Sequence, residues 1–229
     1  MNDQQAALDW RDGDVPVSTR FADPYFSLQD GLAETRYVFL DGNDLPARFA
    51  DGFRVAELGF GTGLNLLACI RAWDDAACPG RLHYTAFEAF PMTAGDMARA
   101  LSAFPSLADL AAPLTAAWDA VRHGGRAEVV EGVTLTLIAG DARATLPDWD
   151  GVADAWFLDG FAPARNPELW EPSLLAAVAA RSAPGATCAT YSAAGAVRRA
   201  LSEAGFAVER IAGFGAKRHM VRARLETEA

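Results

Sequence analysis

A chain of 229 residues with 51% hydrophobic and 22% charged residues can bury one sizeable core with some decoration, so one domain is expected. Its formal net charge of −10 argues against a general nucleic-acid binder, and no apolar run approaches the roughly 18–20 residues that cross a bilayer. The three cysteines, Cys69, Cys78 and Cys188, form no CxxC pair and the three histidines, His83, His123 and His219, lack zinc-like spacing, so a reducing compartment and no metal are expected.

The polar opening MNDQQAALDWRDGD lacks the basic and apolar regions of a signal peptide, which points to a cytoplasmic protein. Residues 1–50 read as an N-terminal extension, with a loop around Pro24-Tyr25-Phe26-Ser27 and a strand over Glu34 to Leu40. Residues 51–229 read as a single folding unit. Seven short apolar runs are strand candidates: Phe53 to Leu58, Leu82 to Phe87, Val133 to Ile138, Ala155 to Leu158, Ala186 to Tyr191, Phe206 to Ile211 and Met220 to Leu225. Leu64 to Trp73, Leu169 to Ala180 and Ala194 to Ala204 carry helical spacing between them, which implies βαβ units and an α/β fold with a mostly parallel sheet. Too few residues separate the last two runs for a helical crossover, so the final strand should run antiparallel. Residues 91–127 stand apart as a helical insertion, with segments near Thr93 to Phe104 and Leu107 to Trp118, either covering a pocket or adding core.

Glu57-Leu58-Gly59-Phe60-Gly61-Thr62-Gly63 follows the first of these strands and precedes a helix, the context of a nucleotide-binding loop. Its ExGxGxG spacing differs from the dinucleotide GxGxxG, and its acidic residue favours S-adenosylmethionine, which offers an ammonium and a sulfonium rather than a pyrophosphate. Glu88 ends the second strand, where a carboxylate can accept from two ribose hydroxyls, and Asp141 follows the third, within reach of an adenine amine. Either could instead cap a helix. Asp159 ends the fourth strand and opens the loop FLDGFAPARNPELW, which Pro163 and Pro167 stiffen; Asp159 caps a turn or serves chemistry, and Phe161 fills core or packs on a substrate base. Glu57, the glycines, Glu88, Asp141 and Asp159 thus share one edge of a parallel sheet. Between Ala193 and Arg224 lie seven basic residues against two acidic ones, either a solvated face or a local RNA contact.

Several stretches carry a resemblance: Pro16-Val17-Ser18, Asp23-Pro24-Tyr25-Phe26-Ser27, GLAETRYVFLDGN, Gly59 through Asn65, Phe87-Glu88, FLDGFAPARNPELW, and Gly213-Phe214-Gly215 with Lys217-Arg218. Over nearly its whole length the chain resembles the methyltransferase half of the bifunctional MnmC tRNA-modification enzymes and the free-standing form called MnmD. The resemblance implies a Rossmann-like class I methyltransferase, with a seven-stranded sheet whose last strand is antiparallel. The implied reaction moves a methyl group from S-adenosylmethionine to the exocyclic amine of 5-aminomethyl-2-thiouridine at the tRNA wobble position. Asp159 and Phe161 would be catalytic, with Asp159 also near the cofactor. The cofactor would meet Glu57, Gly59, Gly61, Gly63, Asn65, Glu88, Asp141 and Tyr25. Pro163, Arg165, Asn166, Trp170, Lys217 and Arg218 would face tRNA, with plain core as the other reading of Trp170. No FAD is expected, because the oxidase half of the bifunctional proteins has no counterpart here, so a separate FAD-dependent oxidase or amine-forming pathway would supply the substrate. Arg165 stands where relatives often have lysine, Glu168-Leu169 replaces an Asp-Met pair, and Ala89 occupies a position often basic. The rival readings are methylation of another amine and a non-catalytic cofactor-binding scaffold.

Overall fold

The apolar runs from Phe53 onward pair with one another as strands, because each is short, rich in β-formers and bounded by turn residues. A computed structural model describes residues 5–11, 14–27 and 30–226; parts of the polar opening stretch and the last three residues lie outside these. The chain begins with a small antiparallel sheet of β1 (Leu8–Arg11), β2 (Val15–Ser18) and β3 (Asp23–Pro24). Helix α1 (Gly31–Thr35) follows and runs into a π-helical turn over Arg36–Leu40. This corrects the strand expected over Glu34 to Leu40. Buried Gly31, Thr35, Val38 and Phe39 recur at three- and four-residue intervals, and the Asp30 carboxylate caps the helix by accepting from Ala33 N–H at 2.9 Å. The β-branched and aromatic side chains of that stretch suit a strand, but packing on one face decided for a helix.

The main body then runs β4 (Phe53–Leu58), α2 (Leu64–Asp75), β5 (Leu82–Glu88), α3 (Ala94–Leu101), α4 (Ala108–Val121), β6 (Gly125–Val130) and β7 (Val133–Ala139). It continues with α5 (Ala142–Asp148), β8 (Ala153–Leu158), α6 (Pro172–Ala180), β9 (Ser182–Thr190), α7 (Gly195–Glu203), β10 (Phe206–Ala212) and β11 (His219–Leu225). All seven anticipated strands join one sheet, but the sheet has eight, in the order β10-β11-β9-β8-β4-β5-β7-β6. The addition is β6, which pairs antiparallel with β7 and ends the helical insertion sooner than residue 127. Its sequence, Gly-Arg-Ala-Glu-Val-Val, alternates at a half-exposed sheet edge and so lacks the continuous apolar run of the buried strands. The final strand, β11, runs antiparallel to both β9 and β10, as the short connection required.

Alternate residues of the central strands feed two cores. Val55, Tyr84, Ala86, Ala155 and Phe157 pack with α2, α3 and α4, whereas Ala56, Phe87, Trp156 and Leu158 pack with α5, α6 and α7. Burial on both faces explains why β4 and β8 are mostly apolar, with Arg54 of β4 and Asp154 of β8 paired to each other at 2.7 Å. No single helix among the described residues is long and apolar enough to cross a membrane.

Candidate active site

Strand β4 has β5 on one side and β8 on the other, so the chain changes direction across the sheet at β4, and a crevice opens beyond the strand C-termini there. The acidic strand ends come from four neighbouring strands, β8, β4, β5 and β7, and a cavity of about 740 Å³ lies over them. The small N-terminal sheet and α1 wall the other side. Tyr25, Glu34 and Thr35 line the cavity, and Asp23 accepts from Ala162 N–H at 3.0 Å, tying β3 to the loop after β8.

At the centre is Asn65, on the first turn of α2. Its amide nitrogen donates to Glu57 Oε1 and to Asp159 Oδ2, both at 2.7 Å, and its oxygen accepts from Thr35 Oγ1 at 2.9 Å. The hydroxyl of Tyr84 donates to Glu57 Oε2 at 2.9 Å. One amide therefore ties two carboxylates together. Burial pushes the Asp159 carboxyl up to about 6, against the lowering effects of hydrogen bonds from Gly160 N–H and Asn65 and the nearby Lys217 charge. Glu57 is raised well above the usual carboxylate range, first by burial and then by the Asp159 charge.

Glu57 lies one layer behind the cavity, contrary to its expected contact with the cofactor. It is fully buried and reaches the cavity only through Asn65. Glu88 does line it; Oε2 accepts from Gly61 N–H at 2.9 Å and Oε1 from Phe90 N–H at 2.7 Å, and burial raises its pKa. Gly59 and Gly61 border the space. Gly61 has φ +56°, and a Cβ there would sit 3.1 Å from the Tyr25 ring, so the closeness of that ring requires glycine. Gly63 is corrected to a packing role: a Cβ would stand 2.8 Å from Leu114 and 3.0 Å from Phe60, under α4 rather than in the cavity. Asp141 takes the helix-capping role and also lies at the cavity edge. It caps α5 by accepting from Arg143 N–H at 2.9 Å, and it borders the cavity with its pKa lowered by the Arg143 guanidinium.

Phe161 faces the cavity, stacked on Phe21 at 4.7 Å and edge-on to Tyr25 at 5.0 Å. Trp170, weighed between packing on a substrate base and plain core, is core: it is 6% exposed, packs with the α5–α7 cluster, and its indole N–H donates to Phe161 O at 3.0 Å. It braces the loop from behind. Asn166 lines the cavity; Pro163 and Arg165 stand outside its lining, with exposed Arg165 3.8 Å from Asp23. The basic island divides similarly. Arg222 and Arg224 pair with Glu209 and Asp44, and Arg218 is exposed away from the cavity. Lys217 borders the cavity with its ammonium 2.6 Å from Glu34.

Sequence reasoning overlooked Asp23, Glu34, Thr35 and Tyr191 as site residues. The first three lie inside stretches already singled out, and reading Glu34 to Leu40 as helical rather than as a strand would have put Glu34 and Thr35 on one short helical segment. Tyr191 follows directly after β9, the neighbour of β8, so strand order would have marked it. Its hydroxyl donates to Gly160 O.

The donor set suits S-adenosylmethionine. Asp159 and the Asn65 amide oxygen can take an ammonium, Glu88 a ribose diol, and Gly59 and Gly61 bring bare backbone to the edge of the cavity. Comparison with known proteins agrees. Residues 105–226 match the model of a family described as S-adenosyl-L-methionine-dependent methyltransferase. The chain is 49% identical over 97% of its length to the tRNA 5-methylaminomethyl-2-thiouridine biosynthesis bifunctional protein MnmC of Caulobacter sp. (strain K31), and 45% identical over 98% to that of Stutzerimonas stutzeri. It spans 39% and 35% of those two relatives. Among solved structures, MNMC2 from Aquifex aeolicus shares the fold, with a TM-score of 0.74, 24% identity, and coverage of 99% of this chain and 73% of that one. With its family model covering more than half of the sequence, the chain belongs to the S-adenosyl-L-methionine-dependent methyltransferases.

Proposed function

We propose that the protein N-methylates the exocyclic primary amine of 5-aminomethyl-2-thiouridine at the tRNA wobble position, giving 5-methylaminomethyl-2-thiouridine. The substrate identity follows the name of the Caulobacter relative, 49% identical over 97% of this chain. The chemistry rests on one observation: Asp159 and Phe161 share an acidic cavity with a glycine loop built for close backbone approach. When bound, S-adenosylmethionine supplies an electrophilic methyl group on a sulfonium.

The protein's task is to hold a neutral amine in line behind that methyl carbon, and orientation alone contributes several kcal/mol to such a displacement. A free alkylamine is mostly protonated at neutral pH. Asp159, ionised above about pH 6, accepts a hydrogen bond from the amine and takes its proton, leaving the nitrogen lone pair aimed at the methyl group. Asn65 fixes the carboxylate, and Thr35 and Glu57 fix Asn65. Phe161, backed by Phe21 and Tyr25, gives the uracil ring a flat apolar wall. Asn166 lies close enough for a polar contact, whereas Pro163, Arg165 and Arg218 serve a wider tRNA footprint outside the cavity.

Incubation with labelled S-adenosylmethionine and tRNA from a strain lacking this modification should place the label in 5-methylaminomethyl-2-thiouridine. Label in any other nucleoside, or only in protein or small molecules, would replace this substrate with another amine; no transfer at all would favour a non-catalytic scaffold. Glu88→Ala should weaken S-adenosylmethionine binding more than tenfold by calorimetry, since a lost hydrogen bond to a charged group costs about 1.5–3 kcal/mol. Unchanged affinity would leave Glu88 as a brace for the Gly61 and Phe90 amides.

A further inference from the structure

Glu34 and Lys217 come from opposite ends of the chain and meet at the cavity. The Lys217 ammonium lies 2.6 Å from Glu34 Oε1 and 4.2 Å from the centre of the Tyr191 ring, a carboxylate and an aromatic face closing on one alkylammonium. The two partners are unequal: the Glu34 side chain is 13% exposed and belongs to the wall, whereas that of Lys217 is 45% exposed and reaches in from the turn between β10 and β11. We propose that the Glu34 carboxylate and the Tyr191 ring form a binding subsite for a primary alkylammonium ion, occupied in the free protein by Lys217 and yielded to the substrate's aminomethyl group. This inference rests on the amine-methylating reading above and specifies where the amine is first held.

The subsite adjoins the reacting position. The Tyr191 hydroxyl donates to Gly160 O, the residue after Asp159, which fixes the ring beside that carboxylate. Glu34, Asp23 and Asp159 all act electrostatically on Tyr191, and Lys217 and Glu34 both act on Asp159. A cation entering this box is therefore within the field of three carboxylates. Lys217 is a suitable placeholder because a half-exposed ion pair is held weakly. It can leave by side-chain rotation alone, since the turn itself is anchored by Tyr37, whose hydroxyl donates to Ala212 O at 3.1 Å and whose ring meets Phe214 at 5.9 Å. The acidic balance of the cavity is thereby kept in check until an amine arrives, which disfavours adventitious cations.

The test titrates the 229-residue chain, without RNA or cofactor, with propylammonium chloride at constant ionic strength, following the Tyr191 ring by NMR. Lys217→Met keeps the apolar stem and removes the competitor, so it should bind propylammonium at least fivefold tighter than wild type. Glu34→Gln should bind at least fivefold more weakly. Equal affinity in Lys217→Met and wild type, or undiminished binding by folded Glu34→Gln, overturns the subsite. Amide spectra report folding, and if Glu34→Gln fails to fold the Lys217→Met comparison decides alone. Absence of methyl transfer to hypomodified tRNA by wild type would refute the substrate assignment while the titration still reads the subsite, so the two failures are distinguishable.

Discussion

Asp159→Ala is expected to lower methyl transfer to hypomodified tRNA by about 10²–10⁴-fold, the usual worth of a positioned proton acceptor, measured at saturating S-adenosylmethionine because the same carboxylate can also take the cofactor's ammonium. Wild-type activity should fall on the acid side with a midpoint at or below about pH 6, because the carboxylate must be ionised and bound cations favour that form. The same residue leaves a mark on stability. Its pKa is raised on folding from 3.8 to about 6, so its contribution to stability is fully present below pH 3.8 and is lost as pH rises through 6. Burying the ionised form thus costs about 3 kcal/mol at neutral pH, at 1.36 kcal/mol per pKa unit. Denaturant titrations of the ligand-free protein between pH 4 and 7 should show this loss in wild type and its absence in Asp159→Ala. Unchanged turnover in the variant would remove Asp159 from the mechanism, and parallel stability curves would remove the buried charge.

Asn65→Ala should be the most destabilising single change at the site. It deletes the donor shared by Glu57 and Asp159 and the acceptor of the Thr35 hydroxyl, with Glu57 having no solvent to replace it. Hydrogen bonds to charged groups are worth about 1.5–3 kcal/mol each, and partial protonation of the carboxylates offsets some of the loss, leaving about 3 kcal/mol. For a domain of this size that lowers the melting temperature by roughly 10 °C. Calorimetry measures it directly. A functional readout separates positioning from mere destabilisation: the Asn65 hydrogen bond lowers the Asp159 pKa, so its removal should shift the acid limb of the pH–rate profile upward. A limb at the wild-type position would mean that Asn65 supports the fold without tuning Asp159.

The strands and the acidic edge were legible because the signals are local. A buried parallel strand needs a short apolar run, and β4, β5, β7, β8 and β9 each have one; the residue after such a run faces the crevice by construction. The edge strand β6 has water on one side and carries no such run. The end of α1 and the π-helical turn after it read as a strand because Tyr37, Val38 and Phe39 satisfy strand propensity, while the burial rhythm that makes them helical depends on what packs beneath them. Glu57 and Trp170 show the same limit at the site. Both stand within two residues of true cavity residues, Gly59 and Leu169, and each faces into a core that exists only once α2 and the α5–α7 layer have docked.

By itself, the sequence determined the α/β class, the antiparallel last strand, the glycine loop and the set of acidic strand ends, since each follows from spacing and residue type along a few neighbouring positions. Only the tertiary structure decided which carboxylates reach the cavity and which lie behind it. It alone joined Thr35 to Asn65, Tyr25 to Gly61 and Glu34 to Lys217, contacts spanning 30 to 183 residues of chain. Such pairings depend on the packing of whole elements, and no local pattern records them. FLDGFAPARNPELW could therefore announce a rigid acidic loop, while the partner that tunes its carboxylate, Asn65, and the ion pair beside it became visible only when sheet, helix and N-terminal extension closed around one space.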